Sequence, residues 1–140
     1  MDHLVAPGVK VSIQGRADID QDTMLTVQDL QDWEETNGRI PDKSVVVVHT
    51  GQGRLYGDKD KYFGRPEGRD LGETDTEHLH FPGVSPEAAA WLVENRAIVG
   101  LGVDTPSTDR GQSRTFETHQ VTILHINQFI HNESGVNISF

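Results

Sequence analysis

Short apolar segments along the chain predict a small number of β-strands. Val9–Ile13 alternates apolar and polar residues, the pattern of a half-buried strand. Ser44–His49 holds four consecutive valines and Ile98–Val103 is apolar with two glycines, so we predict that both strands are buried on both faces. Val121–Ile126 is predicted to form a last strand.

A first helix is predicted from its end signals. Thr26 serves as the N-cap, and Asp29 follows three residues later as in a capping box. Asn37-Gly38 ends the helix, with the glycine expected in the left-handed conformation. The residues of its buried face recur at helical spacing: Val27, Leu30 and Trp33.

A second helix is predicted after Ser85, which acts as its N-cap. Pro86 occupies the first helical position and Glu87 suits the positive end of the helix dipole. The helix should end near Asn95 and pack through Ala88, Ala89, Trp91 and Leu92.

The order strand, helix, strand predicts an α/β fold with a right-handed crossover, a mixed β-sheet and two main helices. Residues 104–112 follow the strand Ile98–Val103, at the sheet edge where ligands bind in open α/β sheets. Thr50–Gly72 is predicted to be a long loop, which in a compact domain is functional or disordered. Its aromatic residues are interpreted as packing or as a cover for an aromatic substrate: Tyr56, Tyr62 and Phe63.

Composition excludes several classes of protein. The 140 residues suffice for one domain with a small core, since 34% of them are hydrophobic. A net charge of −10 argues against a nucleic-acid partner. The absence of cysteine excludes disulfides and thiolate chemistry, which fits a cytoplasmic protein. The N-terminus does not resemble a signal peptide, and no segment approaches the ~20 apolar residues of a membrane span.

Imidazole and carboxylate groups are the candidate metal ligands in a chain without cysteine. Seven histidines are available, and His78 and His80 lie two residues apart. That spacing places both side chains on one face only if the segment is a strand. Spacing alone therefore defines no metal site.

Three motifs in fixed order carry a family resemblance: His80-Phe81-Pro82-Gly83, Asp104-Thr105-Pro106-Ser107 and Phe116-Glu117-Thr118-His119. Together they resemble the second half of the cyclase family of metal-dependent hydrolases, which includes bacterial kynurenine formamidase and isatin hydrolase. The family's metal-binding signature, His-x-Gly-Thr-His-x-Asp-x-Pro-x-His, is absent from these 140 residues.

The resemblance implies a swivelling β/β/α fold, with residues 1–126 forming a partial hydrolase domain and residues 127–140 a divergent C-terminal tail. It also implies a divalent zinc or manganese ion that activates water against an amide or lactam carbonyl. By this resemblance His119 is a metal ligand, Glu133 is the candidate for the later glutamate ligand, and His80 binds substrate. No residue of the chain is assigned a catalytic role.

Two functions follow as hypotheses. The first is an amide or lactam hydrolase for a small aromatic substrate, inactive as this chain because a catalytic zinc site usually has three protein ligands. The second is a non-catalytic interaction module that pairs with full-length subunits. The chain is expected to be a homo-oligomer or such a partner. A splice form, an incomplete gene model and a short paralogue all fit this sequence.

Overall fold

The structure, a computed structural model, describes residues 5–68 and 76–134, with side chains up to residue 125. In chain order the elements are β1 (Gly8–Ser12), α1 (Gln14–Ala17), β2 (Met24–Leu25), α2 (Val27–Asn37), β3 (Val45–His49), α3 (Lys59–Tyr62), β4 (Gly83–Val84), α4 (Pro86–Arg96), β5 (Gly100–Val103) and α5 (Glu117–Ser134). Turns of 3₁₀ helix occur at Gln52–Leu55 and Thr76–His78.

The strands form two small parallel sheets. The larger has the order β1-β3-β5, and the smaller pairs β2 with β4. The register places Val9 beside Val46 and Val46 beside Leu101. The α/β class is confirmed, and every strand pairing among the described residues is parallel rather than mixed.

The central sheet buries one face and leaves the other open. Val46 and Val48 of β3 are fully buried against a core that includes Leu30 of α2 and Leu92 of α4. On the opposite side, which we call the open face, Val47 is 41% exposed. The open face comprises Gly8, Lys10, Ser12, Val45, Val47, His49, Gly100 and Gly102. The prediction that β3 and β5 are buried on both faces is wrong here, because the described part of the chain leaves this second face in contact with solvent.

The predicted helix caps are present. The Thr26 hydroxyl accepts the N–H of Asp29 at 3.2 Å, and the Asp29 carboxylate accepts the N–H of Thr26 at 2.8 Å. At the end of α2, Gly38 has a φ of 88° with an extended ψ of 172°, so φ is positive but the conformation is not the predicted left-handed helical one. Ser85 accepts the N–H of Ala88 at 3.1 Å and begins α4 as predicted.

The predicted strand at Val121–Ile126 is wrong, because these residues lie inside α5. The helix packs against α4 and continues across the predicted domain boundary at residues 126 and 127. Thr118, in its first turn, is 1% exposed and donates its hydroxyl to the carbonyl of Val84 at 2.7 Å. That buried bond fixes the start of α5 on β4.

The predicted loop at Thr50–Gly72 contains the turn Gln52–Leu55 and α3, and its last residues lie outside the described part. Its aromatic rings stack edge to face in a series that ends on the buried Phe81: Tyr56 on Tyr62, Tyr62 on Phe63, and Phe63 on Phe81. These contacts support the packing interpretation. Among the described residues, none of the helices has the length and apolar character needed to cross a lipid bilayer.

Candidate functional site

Asp109 organises the segment that connects β5 to α5. Its side chain is 4% exposed. The carboxylate accepts the backbone N–H groups of Thr118 at 2.8 Å and of His119 at 3.2 Å. Both N–H groups belong to the first turn of α5, where donors have no partner within the helix. Asp109 therefore caps the helix from eight residues before its first residue, Glu117.

The same carboxylate fixes the imidazole of His119. Nδ1 of His119 lies 2.5 Å from Oδ2 of Asp109, and the Thr108 hydroxyl lies 3.2 Å from the same nitrogen. Because a carboxylate accepts hydrogen bonds, this contact assigns the proton of the neutral ring to Nδ1. The nitrogen that remains for a ligand is Nε2, on a side chain that is 44% exposed. A carboxylate that orients a histidine in this way is typical of metal-binding imidazoles.

His80 forms a second pair of this kind. Its Nδ1 lies 3.0 Å from each carboxylate oxygen of Asp22, and both side chains are about one-third exposed, at 35% and 33%. Asp22 comes just before β2, and His80 comes just before β4. Since β2 and β4 are neighbours in the smaller sheet, the pair joins the two strand starts.

Close backbone packing holds His80 in place. Gly64 has a φ of 60°, and a Cβ atom at this position would stand 1.8 Å from the carbonyl oxygen of His80. The N–H of His80 also donates to the carbonyl of Phe63 at 3.3 Å. Only glycine fits such a combination of positive φ and contact. The segment before β4 therefore packs directly against the end of α3.

Asp104 holds the loop that follows β3. Its carboxylate accepts the N–H of Thr50 at 2.8 Å, the hydroxyl of Thr50 at 2.7 Å and the N–H of Gly51 at 2.9 Å. Burial raises the pKa of Asp104, but the hydrogen bonds from Thr50 and Gly51 outweigh it and hold the pKa below its usual value. The family motif Asp104-Thr105-Pro106-Ser107 therefore begins with an ionised, structural carboxylate.

The described residues do not complete a metal site. No group of three histidine, aspartate or glutamate side chains suited to a metal ion occurs among them. Nε2 of His119 has no hydrogen-bond partner among the described residues, and Glu133 lies on α5 with its side chain outside the described part. The predicted ligands His119 and Glu133 therefore remain predictions, as does the substrate-binding role of His80.

An open groove of about 450 Å³ lies beside the start of α5, with walls that include Met24, Val84, Asp109, Arg110 and Thr118. Neither His80 nor His119 belongs to its walls. The groove therefore does not by itself bring the two predicted site residues together.

Asp22 and Asp109, the carboxylates that orient the two histidines, were not among the predicted site residues. The sequence position of Asp109 was a usable signal for a site residue, because Asp109 follows the motif Asp104-Thr105-Pro106-Ser107 by two residues. Asp22 lies 58 positions from His80 in a polar loop, and nothing in its local pattern marks it.

Comparison with known proteins defines the class to which this fold and site belong. Residues 1–110 match the family model described as putative cyclase. The match covers more than half of the chain, and the chain belongs to the cyclase family.

The relatives found within the family include isatin hydrolases. The isatin hydrolase of Roseibium aggregatum is 28% identical over 114 residues, which are 81% of this chain and 40% of that protein. The structure of isatin hydrolase A from Ralstonia solanacearum is 32% identical, with a TM-score of 0.74 over 89% of this chain and 44% of that chain. An isatin hydrolase bound to the product analogue thioisatinate is 27% identical, with a TM-score of 0.74 over 90% of this chain and 45% of its own. The chain thus spans less than half the length of these relatives.

Proposed function

We propose that this chain carries the C-terminal part of an amide or lactam hydrolase, and that it does not turn over substrate by itself. The family membership and the structural match to isatin hydrolases support the reaction class. The observation that carries the proposal is the Asp109–His119 pair, which leaves one ring nitrogen for a divalent zinc or manganese ion. We place the protein in the cytoplasm, on its cysteine-free composition.

The residues are assigned roles within this proposal. His119 and Glu133 are ligands of the metal, and His80, oriented by Asp22, contacts a small aromatic amide or lactam. A relative's structure holds the product analogue thioisatinate, which supports an aromatic substrate. Because the described residues do not form a complete metal site, no catalytic step is assigned to them.

Activity and metal-binding assays of the purified chain test the proposal. With isatin or N-formylkynurenine we expect no hydrolysis above background, with zinc or manganese added. Calorimetric titration should show weak zinc binding that is lost in His119→Ala. His125→Ala is the matched control, because His125 bonds the carbonyl of Val121 within its own helix at 2.8 Å. Robust turnover that chelation abolishes would contradict the proposal.

The alternative is a non-catalytic module that pairs with full-length subunits. The open face favours it, since Val47 in the middle of the central strand is 41% exposed. Co-expression with a full-length family member, followed by affinity purification of the tagged chain, tests this pairing. The genomic sequence upstream of the Met1 codon separates the two functions, because an in-frame His-x-Gly-Thr-His-x-Asp motif there would favour the hydrolase.

A further inference from the structure

Three polar side chains lie in one row across the carboxyl ends of the central sheet. The register pairs Ser12 of β1 with His49 of β3. Between β3 and β5, the register pairs Val48 with Val103. Asp104, the residue after Val103, therefore lies beside His49, the residue after Val48. Because strand residues alternate between faces, all three side chains belong to the open face rather than the core.

The contacts within this row follow the order serine, histidine, carboxylate. Oγ of Ser12 lies 3.2 Å from Nδ1 of His49. On the other side of the ring, Nε2 of His49 lies 4.0 Å from Oδ2 of Asp104, an electrostatic contact rather than a hydrogen bond. A proton on Nε2 then faces the carboxylate, and the lone pair of Nδ1 accepts the Ser12 hydroxyl.

The surroundings keep this row both charged and accessible. Three donors from Thr50 and Gly51 surround the Asp104 carboxylate, as described above, and an ionised carboxylate stabilises a positive imidazole nearby. Ser12 is exposed, and the His49 side chain is 32% exposed. A small molecule in solution therefore reaches the serine hydroxyl.

We infer that Ser12 is a nucleophile toward activated acyl compounds, such as aryl esters, with His49 as its base. Oγ of Ser12 bonds to the carbonyl carbon while its proton passes to Nδ1 of His49. The bond to the aryl oxygen then breaks, and the departing aryloxide takes that proton. Water, deprotonated by His49, attacks the acyl-serine and releases the carboxylic acid and the free hydroxyl.

The test uses the whole purified chain, diluted until light scattering shows a monomer with its open face free, together with EDTA, p-nitrophenyl acetate and a fluorophosphonate probe. We expect one phosphonyl adduct by intact mass, mapped to Ser12. Release of nitrophenol should fall about tenfold or more in Ser12→Ala and in His49→Gln. Ser113→Ala is the matched control and should leave both signals unchanged, because the Ser113 hydroxyl accepts the N–H of Phe116 and bonds none of the histidines whose side chains the structure describes.

Two outcomes would overturn the inference. One is labelling spread over other residues of the chain, and the other is undiminished reaction in Ser12→Ala. Either would show that Ser12 and His49 only join the strand ends. If circular dichroism shows that His49→Gln is unfolded, His49→Asn supplies the second variant. EDTA removes divalent metal ions, so this result does not depend on whether the proposed metal-dependent function is correct.

Discussion

At the scale of single residues, one buried carboxylate performs two tasks. Asp109 accepts two N–H groups of the first turn of α5 and also holds Nδ1 of His119. An amide side chain has one acceptor oxygen, so it cannot serve all three donors, and its NH₂ group would face the helix N–H groups. The helix start and the imidazole orientation therefore depend on the same ionised group.

We expect Asp109→Asn to lower the free energy of unfolding by about 2 kcal/mol, the typical cost of leaving a buried donor without its partner. His119→Ala should cost less than about 0.5 kcal/mol, as for other partly exposed side chains. Urea denaturation followed by circular dichroism measures both. Asp60→Asn, at an exposed carboxylate of α3, is the control. A clear drop in the midpoint for His119→Ala would instead support a structural role for that histidine.

Gly64→Ala is expected to destabilise the fold more than an ordinary surface substitution. The positive φ costs about 1–3 kcal/mol for a residue with a side chain. The Cβ would also stand 1.8 Å from the His80 carbonyl, so the backbone must move. Thermal unfolding should show a lower midpoint than in Gly57→Ala, where a Cβ meets no atom within 4 Å. Equal midpoints for the two variants would argue against the close packing of these segments.

The residues that sequence alone identified are those within recurrent motifs. His80 and His119 were named from their neighbours along the chain. Their partners were not, because hydrogen bonds between side chains depend on tertiary distance. Asp22 meets His80 only because β2 and β4 pair, and a two-residue strand leaves almost no periodic signal.

At the scale of elements, the helix caps were predicted correctly, whereas the last predicted strand was wrong. The caps Thr26 and Ser85 act on residues three positions away, and both were predicted. The helix α5 was predicted as a strand because Val121–Ile126 is rich in β-branched residues. Its actual start depends on Asp109 and on the buried bond from Thr118 to Val84, which span 9 and 34 positions. Tertiary contacts here override local propensity.

An ion pair joins α2 to α4. Glu34 and Arg96 make two bonds of 2.8 and 2.6 Å, with side chains 13% and 16% exposed, and Glu34 also accepts the N–H of Ile40 at 2.6 Å. The hydrogen bonds from Arg96 hold the pKa of Glu34 below its ordinary value of 4.5, although burial opposes this. The pair therefore stabilises the protein fully above pH 4.5, and this contribution is lost as pH falls through the lowered pKa.

Glu34→Gln should cost about 2 kcal/mol of unfolding free energy at pH 7, because the charged hydrogen bonds are lost. The difference from the parent chain should shrink as pH falls below 4.5 toward the lowered pKa of Glu34, since the parent loses the same charge there. Urea unfolding midpoints of both proteins, measured at intervals from pH 7 to below pH 4.5, give the pH profile of this difference. Glu35→Gln, at the exposed neighbouring position, is the control and should leave the profile unchanged. A pH-independent difference would show that packing rather than charge joins the helices.

At the scale of the whole molecule, the residues that the structure describes cover the central sheet on one side only. The chain spans 44–45% of the solved isatin hydrolases it matches. Burial stabilises by roughly 25 cal/mol per Å² of apolar surface, against a net stability of about 5–15 kcal/mol for an ordinary domain. Val47 and the half-buried Val45 lie on the open face, so part of that stabilisation is missing and apolar side chains are offered to other molecules.

We therefore predict that the isolated chain self-associates through the open face and binds an apolar dye. Val47→Lys, at a residue 41% exposed on that face, should lower light scattering and dye fluorescence without lowering the unfolding midpoint. Ile19→Lys is the matched control, because Ile19 is 90% exposed outside the sheet. Its substitution should change neither signal. Lower light scattering and dye fluorescence in Val47→Lys alone would therefore assign the association to the open face of the sheet. A clean monomer with sharp, cooperative unfolding and no dye binding would show instead that these residues form a self-sufficient domain, whose open face needs no cover.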